Sequence, residues 1–583
     1  MSRLIPAFFV WYRSNSLNCR MAKTVRIFRF LGVFLMVSGI LLLATLFLLS
    51  TESITTTILN LSGLPAEKFD KVLTVLTPRV IMLLRLSPLA LVVLGLLSYR
   101  FSSSVHLGVH TVWQWGREAR QAFTEIPSKY RGVFWMIWSF SLLFNLYNVC
   151  NLPIFYDEAW TFLNFTRRGI AVSISHYPAP NNHILHSILT NFTYRWPFSQ
   201  TINLRIPNLA VTAVSVLVFF YTFCRLLNHR AALVLTSVYA FLFPVLYYGY
   251  VSRGYALVLL ASIVLFYATL RIAGDNLQTD SKSYVLWALA SVVGFYAMPS
   301  FLYPVFLSAT FITYRLVFVQ TRAWMAFLRW AAGAGLAVAL LYFPIFAVSG
   351  VDAVVGNKYV QSITYGTLLR MMPNHFLETA LFLAGSVWVL IPMAIALLYA
   401  LVKVNRSQSA DFARYSLLMP PVILSLHPTM PFPRTWIFLL VPILYLIGTS
   451  LQKFLSDPGK GRRLWIIIIG LPLLLIVSFT IEIRRHEAFS IDAHAASKYL
   501  LKEGARTVYC NHPLYETNLR YEFENAHKPL HLTYSLQSLE EDSHLLKPYD
   551  FAITQTVPPG NSGWSVIERF GPDLYISRRI NKN

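Results

Sequence analysis

The sequence predicts an all-α polytopic membrane protein with a small extracytoplasmic α/β domain at its C-terminus, and three observations predict it. The 583 residues are 56% hydrophobic and only 13% charged, with a mean hydropathy of +0.53, too apolar for a soluble globule and far too long for a single anchor. About thirteen hydrophobic stretches recur along the chain. After residue 482 polarity rises sharply, and short strand-like runs replace them.

The stretches lie at 31–50, 79–99, 132–151, 206–226, 231–248, 254–272, 283–299, 301–319, 330–349, 379–402, 415–427, 436–451 and 464–481, several shorter than the usual ~20 residues of a crossing. The first follows a basic segment and lacks a small-residue cleavage site, so it reads as a retained helix and not a signal peptide. Met21 is an alternative start, since residues 1–20 add little that the fold needs. Arg85, inside the second stretch, is either paired structurally or a sign that the span is drawn too far.

Orientation follows from the basic residues. Arg3, Arg13, Arg20, Lys23, Arg26 and Arg29 precede the first span, Arg100, Arg117, Arg120, Lys129 and Arg131 precede the third, and later turns carry Arg225, Arg230, Arg271, Lys282, Arg315, Lys403 and Lys460. All fall on one face if the N-terminus is cytoplasmic, and an odd span count then puts the tail 485–583 outside. The net charge of +23 is thereby explained by topology and anionic headgroups. Nucleic acid is excluded as a partner, because the charges are scattered over many short loops. Cys19, Cys150, Cys224 and Cys510 show no CxxC spacing and support neither a disulfide framework nor a thiolate zinc site. Cys510 offers a label for the outer side.

Three domains are expected: 1–130, an N-terminal segment with two extra spans; 131–482, a membrane module with outer loops at 153–205 and 350–378; and 483–583, the outer α/β domain. In the last, 493–503 reads as helix and 507–510, 551–554 and 573–577 as strands. No fixed-period repeat is present, which disfavours a solenoid and the paired halves of transporters.

The loop 153–205 holds the densest polar chemistry. It opens with Asp157-Glu158-Ala159-Trp160 and continues through Asn181, Asn182, His183, Ile184, Leu185 and His186. From 182 onward Ile184, Leu185, Ile188, Leu189 and Phe192 make a helix-spaced apolar face, so this piece lies in the interface plane, with His183 and His186 on one face.

In this order the residues resemble integral-membrane glycosyltransferases of the GT-C superfamily, in the branch of protein O-mannosyltransferases and bacterial aminoarabinose and galacturonic acid transferases. The matching parts are the acidic pair Asp157 and Glu158, the Asn-Asn-His-x-Leu-His run at 181–186, the Leu-Arg-x-Pro opening of the next span at 204–207, the Ser-Arg-Gly-Tyr-Ala-Leu turn at 252–257 and the Pro-Arg-Thr-Trp segment from Pro433. They cover about 130–450, and their order carries more weight than any one of them. Ile184 stands where that branch often has Pro, and the two N-terminal spans are extra.

The resemblance implies an inverting transfer of sugar from a polyprenyl phosphate carrier to a lipid, glycan or protein acceptor on the outer face, in a bacterial cytoplasmic membrane. No Gly-rich phosphate loop is present, as a lipid-carried donor permits. Asp157 is then the base for the acceptor hydroxyl, with Glu158 orienting or replacing it. Arg205, Arg253 and Arg434, each at the outer end of a span, would hold the donor phosphate. Asn182, His183, His186, Tyr250 and Tyr255 would contact substrate. No cofactor is called for, while a divalent metal between His183 and Asp157 stays open. Plainer readings stand beside these: arginines that snorkel to headgroups, a hydrogen-bonding histidine, and tyrosines of an interfacial belt. A transporter or flippase of lipid-linked sugars, a non-catalytic subunit, and an oligosaccharide polymerase or ligase remain alternatives.

Overall fold

The protein is described by a computed structural model over residues 4–62, 70, 76, 78–100, 102–273, 281–317, 321–356, 361–455, 461–534, 549–558 and 564–579. Among these residues nine helices are long and apolar enough to cross a membrane, or eleven segments if each of two bent helix pairs is one span. Thirteen were expected. The stretch at 283–299 is a helix of 17 residues, Ser281–Ala297, at the short end of what crosses. The stretch at 415–427 is two short helices, Gln408–Leu418 and Pro420–Leu426, broken where Pro420 and Pro421 remove backbone donors.

The chain forms two compact units. The first comprises Met1–Pro127, Ile174–Ala179 and Val264–Gln361. Here the N-terminal span Val25–Leu48 lies against Leu89–Arg100 at a distance that only glycine allows: a Cβ on Gly32 would stand 2.6 Å from the Gly95 carbonyl oxygen. Arg85 has a structural partner. Its Nη2 donates to Leu49 O at 2.9 Å, placing a cation at the negative end of helix Leu4–Leu48. Farther on, Thr321–Val348 packs on Ser281–Ala297 and Tyr342 Oη donates to Phe295 O at 2.7 Å.

The second unit comprises Ser128–Ser173, Pro180–Ile263 and Ser362–Asn583. Helix Ser128–Asn151 leads to the short helix Tyr156–Asn164, which carries the acidic pair. Helix Ile184–Thr193 follows. It buries Ile184, His186, Ser187, Thr190 and Thr193, while Phe192 stays exposed, so its buried side is mostly polar. Span Gln200–Leu226 comes next, then the pair His229–Tyr239 and Phe243–Tyr250, bent by 61°. The expected loop 350–378 ends early. Thr364 Oγ1 accepts the N–H of Thr367 and starts helix Tyr365–Ala384, which turns through 100° into Val387–Lys403. Gly385 makes that turn with φ +85°, and a Cβ on it would run into Phe243. Pro433–Gln452 and Ile467–His486 complete the spans of this unit.

The tail is an α/β domain, as the composition shift predicts. Its strands are β1 (Thr507–Cys510), β2 (His531–Tyr534), β3 (Phe551–Thr554), β4 (Trp564–Phe570) and β5 (Leu574–Arg579), in the order β2-β1-β3-β5-β4. β1 pairs in parallel with β2 and β3, and helix Pro513–Asn525 makes the crossover from β1 to β2. β5 runs antiparallel to β3 and to the edge strand β4. Ala496, Leu500, Val508, Leu519, Ile553 and Ile576 fill the core beneath. Sequence reading found β1, β3 and β5. It missed β2, which is only four residues long, and β4, whose residues after Trp564 are mostly exposed and carry a weak hydrophobic signal.

Cys510 lies in this core, and burial pushes its thiol up to about 12, so it cannot report the side of the membrane. Exposed Lys502 can. With Lys502→Cys in a background free of other cysteines, a membrane-impermeant maleimide should label intact bacterial spheroplasts; labelling only after lysis would place the tail inside.

Candidate active site

The site is organised by a carboxylate that no solvent reaches. Glu158 and Arg205 form an ion pair with both side chains 0% exposed, Arg205 Nε donating to Oε1 at 2.9 Å and Nη2 to Oε2 at 2.6 Å. Glu158 also accepts the backbone N–H of Phe155 at 3.0 Å and of Ser252 at 2.7 Å. Arg205 spends its remaining donors on the carbonyls of Leu152 at 2.8 Å and Pro153 at 2.6 Å, with the Tyr250 ring 5.4 Å beneath it. A charge buried this deeply persists only with its hydrogen bonds filled, and here they are.

Asp157 has the opposite setting. One residue along a helix rotates a side chain by about 100°, so the neighbour of a sealed glutamate looks elsewhere. Asp157 is 32% exposed, and its Oδ2 lies 3.7 Å from Arg253 Nη2 and 3.7 Å from Arg434 Nη1. Burial pushes its carboxyl up, but the charges of Arg253 and Arg434, helped by a hydrogen bond from Asn181, outweigh it and hold it below the ordinary range. It is therefore ionised at neutral pH.

Each arginine is positioned by its own segment. Arg253 follows the Tyr247–Val251 turn, where Asn208 Nδ2 donates to the carbonyls of Tyr248 at 3.0 Å and Arg253 at 2.7 Å. Its Nη1 is steadied by Thr161 Oγ1 at 2.9 Å and Asn181 O at 3.1 Å. Arg434 begins the 3₁₀ helix Pro433–Leu439, which Trp436 pins by donating Nε1 to His375 Nε2 at 2.8 Å inside the protein. Arg434 also lines an open cleft of about 470 Å³ with Phe243, Tyr248, Phe382, Phe432 and His486.

Thus Asp157, Arg253 and Arg434, far apart in sequence, come together. Arg205 departs from expectation: its fork is committed to Glu158 and to backbone carbonyls, so it cannot meet a phosphate without breaking the pair. Glu158, held by four donors, is likewise no free base. Among the residues expected to touch substrate, Asn182 donates to Ser173 O and accepts from Ser187 Oγ, both within the loop. His186 is fully buried, its Nε2 3.5 Å from Ser252 Oγ, and burial, with Arg253 nearby, pushes it down to about 3, so it is neutral. His183 packs against the Tyr255 ring at 5.2 Å, Tyr255 stacks on Tyr248 at 4.1 Å, and Tyr250 is buried under Arg205. Among the described residues no group of three or more His, Cys, Asp or Glu side chains is arranged to hold a metal ion. Asn208 was missed, although an Asn inside an apolar span was the signal for it.

Among solved structures the chain is similar in fold to ArnT, and that fold is the GT-C fold. ArnT from Cupriavidus metallidurans in the apo state matches with a TM-score of 0.51 at 12% identity, over 77% of this chain and 97% of that one. ArnT bound to undecaprenyl phosphate matches at 0.48 and 10% identity, covering 78% and 98%, and the mycobacterial arabinofuranosyltransferase AftD at 0.39 and 12%, covering 77% and 40%. No protein-family model matches the sequence, and no curated protein matches it significantly.

Removing one partner of the sealed pair strands the other charge. Arg205→Ala should destabilise the protein by about 3–5 kcal/mol, read as a lowered unfolding midpoint in detergent, and Arg205→Lys should also destabilise it, since it lacks the planar fork. An unchanged midpoint for Arg205→Ala would show that the pair is not the anchor described.

Proposed function

We propose that this chain is an inverting GT-C glycosyltransferase that moves a sugar from a polyprenyl phosphate carrier to an acceptor on the outer face of the membrane. The observation that carries the reading is Asp157 flanked by Arg253 and Arg434, with Arg434 reaching into an aromatic-walled cleft. Two guanidinium groups suit a phosphate, which accepts their paired donors and gains charge as the sugar leaves. Arg205 is no part of this phosphate site; it holds Glu158, whose ladder sets the start of the Asp157 helix.

In the proposed step the acceptor hydroxyl gives its proton to an Asp157 oxygen as its own oxygen bonds to the anomeric carbon. The bond from that carbon to the phosphate oxygen breaks on the opposite face, and the lipid phosphate departs with the electron pair. In the free protein the two arginines stabilise the Asp157 carboxylate and make it a weak base. A bound phosphate shares those cations, and Asp157 becomes more basic when the donor is in place. The aromatic wall of Phe243, Phe382 and Phe432 suits the apolar start of a prenyl chain. The charge pattern supports the outer face as the side of reaction.

Purified protein in nanodiscs, given a panel of radiolabelled polyprenyl phosphate sugars and native-membrane acceptors, should label an acceptor. Asp157→Asn should cut the rate by about 10²–10⁴-fold while the protein stays folded. Near-normal turnover in that variant would remove Asp157 from the mechanism. Binding of a lipid-linked sugar with movement across the bilayer and no transfer would favour a transporter.

Lys at 253 or 434 keeps charge and loses the fork. Either substitution should weaken undecaprenyl phosphate binding, measured by intrinsic fluorescence titration, by roughly tenfold. Unchanged affinity in both would contradict the phosphate assignment.

A further inference from the structure

One half-buried carboxylate has no part in the chemistry above. Glu487 sits where the span Ile467–His486 passes into helix Ala488–Lys502 of the tail domain. Its Oε1 accepts from Tyr247 Oη, and its Oε2 accepts from Ser490 Oγ at 2.9 Å. Ser490 Oγ in turn accepts the backbone N–H of Tyr156 at 3.4 Å. Tyr156 begins the helix that carries Asp157, so its N–H is one of those a helix start leaves without an internal partner. The preceding N–H, on Phe155, goes to Glu158. Both peptide groups leading into Asp157 therefore end on acceptors backed by a carboxylate. In the other direction Tyr247 meets Tyr248 edge-on at 4.9 Å, and Tyr248 is a wall of the cleft beside Arg434.

We infer that Glu487 is a positioning residue for the transfer, fixing the start of the Asp157 helix through Ser490 and the cleft wall through Tyr247. The inference rests on the reading of Asp157 as the base. An ionised Glu487 accepts both hydroxyl protons and leaves a Ser490 lone pair facing Tyr156. A protonated Glu487 donates through one oxygen and accepts through the other, so one of the two bonds reverses and the charge behind the chain of bonds to Tyr156 is lost.

The groups facing Glu487 are Tyr247 and Tyr250 from helix Phe243–Tyr250, Asp157 and Glu158 from helix Tyr156–Asn164, Ser490 on its own helix, and His486 beside it, whose ring is 5.4 Å from that of Tyr247. Burial raises the carboxyl to about 7, against the bonds from Tyr247 and Ser490 and with the charges of Glu158 and Asp157 adding to the rise. A raised carboxyl is neutral below that pH and charged above it. Turnover should therefore climb as pH rises through about 7.

The test uses the full chain in nanodiscs with a donor that the wild type accepts. Glu487→Gln should lower kcat by roughly ten- to a hundredfold, the weight of a charge-assisted hydrogen bond, and remove the rise near pH 7. Ser490→Ala keeps Glu487 and cuts the link to Tyr156, so it should lower kcat in the same way. His486→Gln should retain the rise whatever its rate, which separates Glu487 from the histidine. If wild type depends on Asp157 yet Glu487→Gln and Ser490→Ala keep its kcat and pH profile, the inference is overturned and the base assignment survives. If both variants lose kcat only in proportion to a lowered melting temperature, Glu487 is structural and the inference is again overturned. A wild type that transfers no sugar, with Asp157→Asn indistinguishable from it, overturns the underlying reading and the inference with it.

Discussion

One end of the second unit depends on one sealed ion pair. Glu158 and Arg205 together bind the carbonyls that close helix Ser128–Asn151, the N–H that opens helix Tyr156–Asn164, span Gln200–Leu226 and the turn before Arg253. Four segments thus meet on two side chains. A hydrophobic replacement of the pair would fill the volume but leave the N–H groups of Phe155 and Ser252 and several carbonyls unpaired, which is the penalty that makes such a pair hard to replace.

Because those segments are fixed, the neighbouring carboxylate is left partly open. Asp157 and Glu158 are adjacent in sequence and separated by helix rotation into different environments, one dry and fully bonded, the other partly open between two cations. The same logic divides the arginines. Arg205 is consumed by structure, whereas Arg253 and Arg434 bring only long 3.7 Å contacts to Asp157, so little is lost when a better anion arrives.

Much of this was legible because charge is scarce in an apolar chain. Asp157, Arg253 and Arg434, which the structure brings together, stood out in motifs at span ends, and the tail domain in its change of polarity. The partition between Arg205 and the other arginines was not legible, since all three occupy the same kind of position in sequence and only packing decides which is enclosed. The count of thirteen spans is not confirmed where proline and glycine act locally: Pro420 and Pro421 break one stretch, and Gly385 bends another through 100°. Glu487 was invisible for a different reason. Its partner Tyr247, and Tyr156, which it reaches only through Ser490, lie hundreds of residues away, and no local pattern marks a carboxylate that turns inward at the end of a span.

The central claim is that the anion site is built from Arg253 and Arg434 around Asp157, with Arg205 excluded. A cryo-electron microscopy structure with undecaprenyl phosphate bound tests it most directly. The account predicts phosphate oxygens within hydrogen-bonding distance of both Arg253 and Arg434, the prenyl chain leaving along Phe243 and Phe382, and the Glu158–Arg205 pair unbroken. Phosphate bound to Arg205 with that pair opened, or bound away from Asp157 altogether, would contradict it.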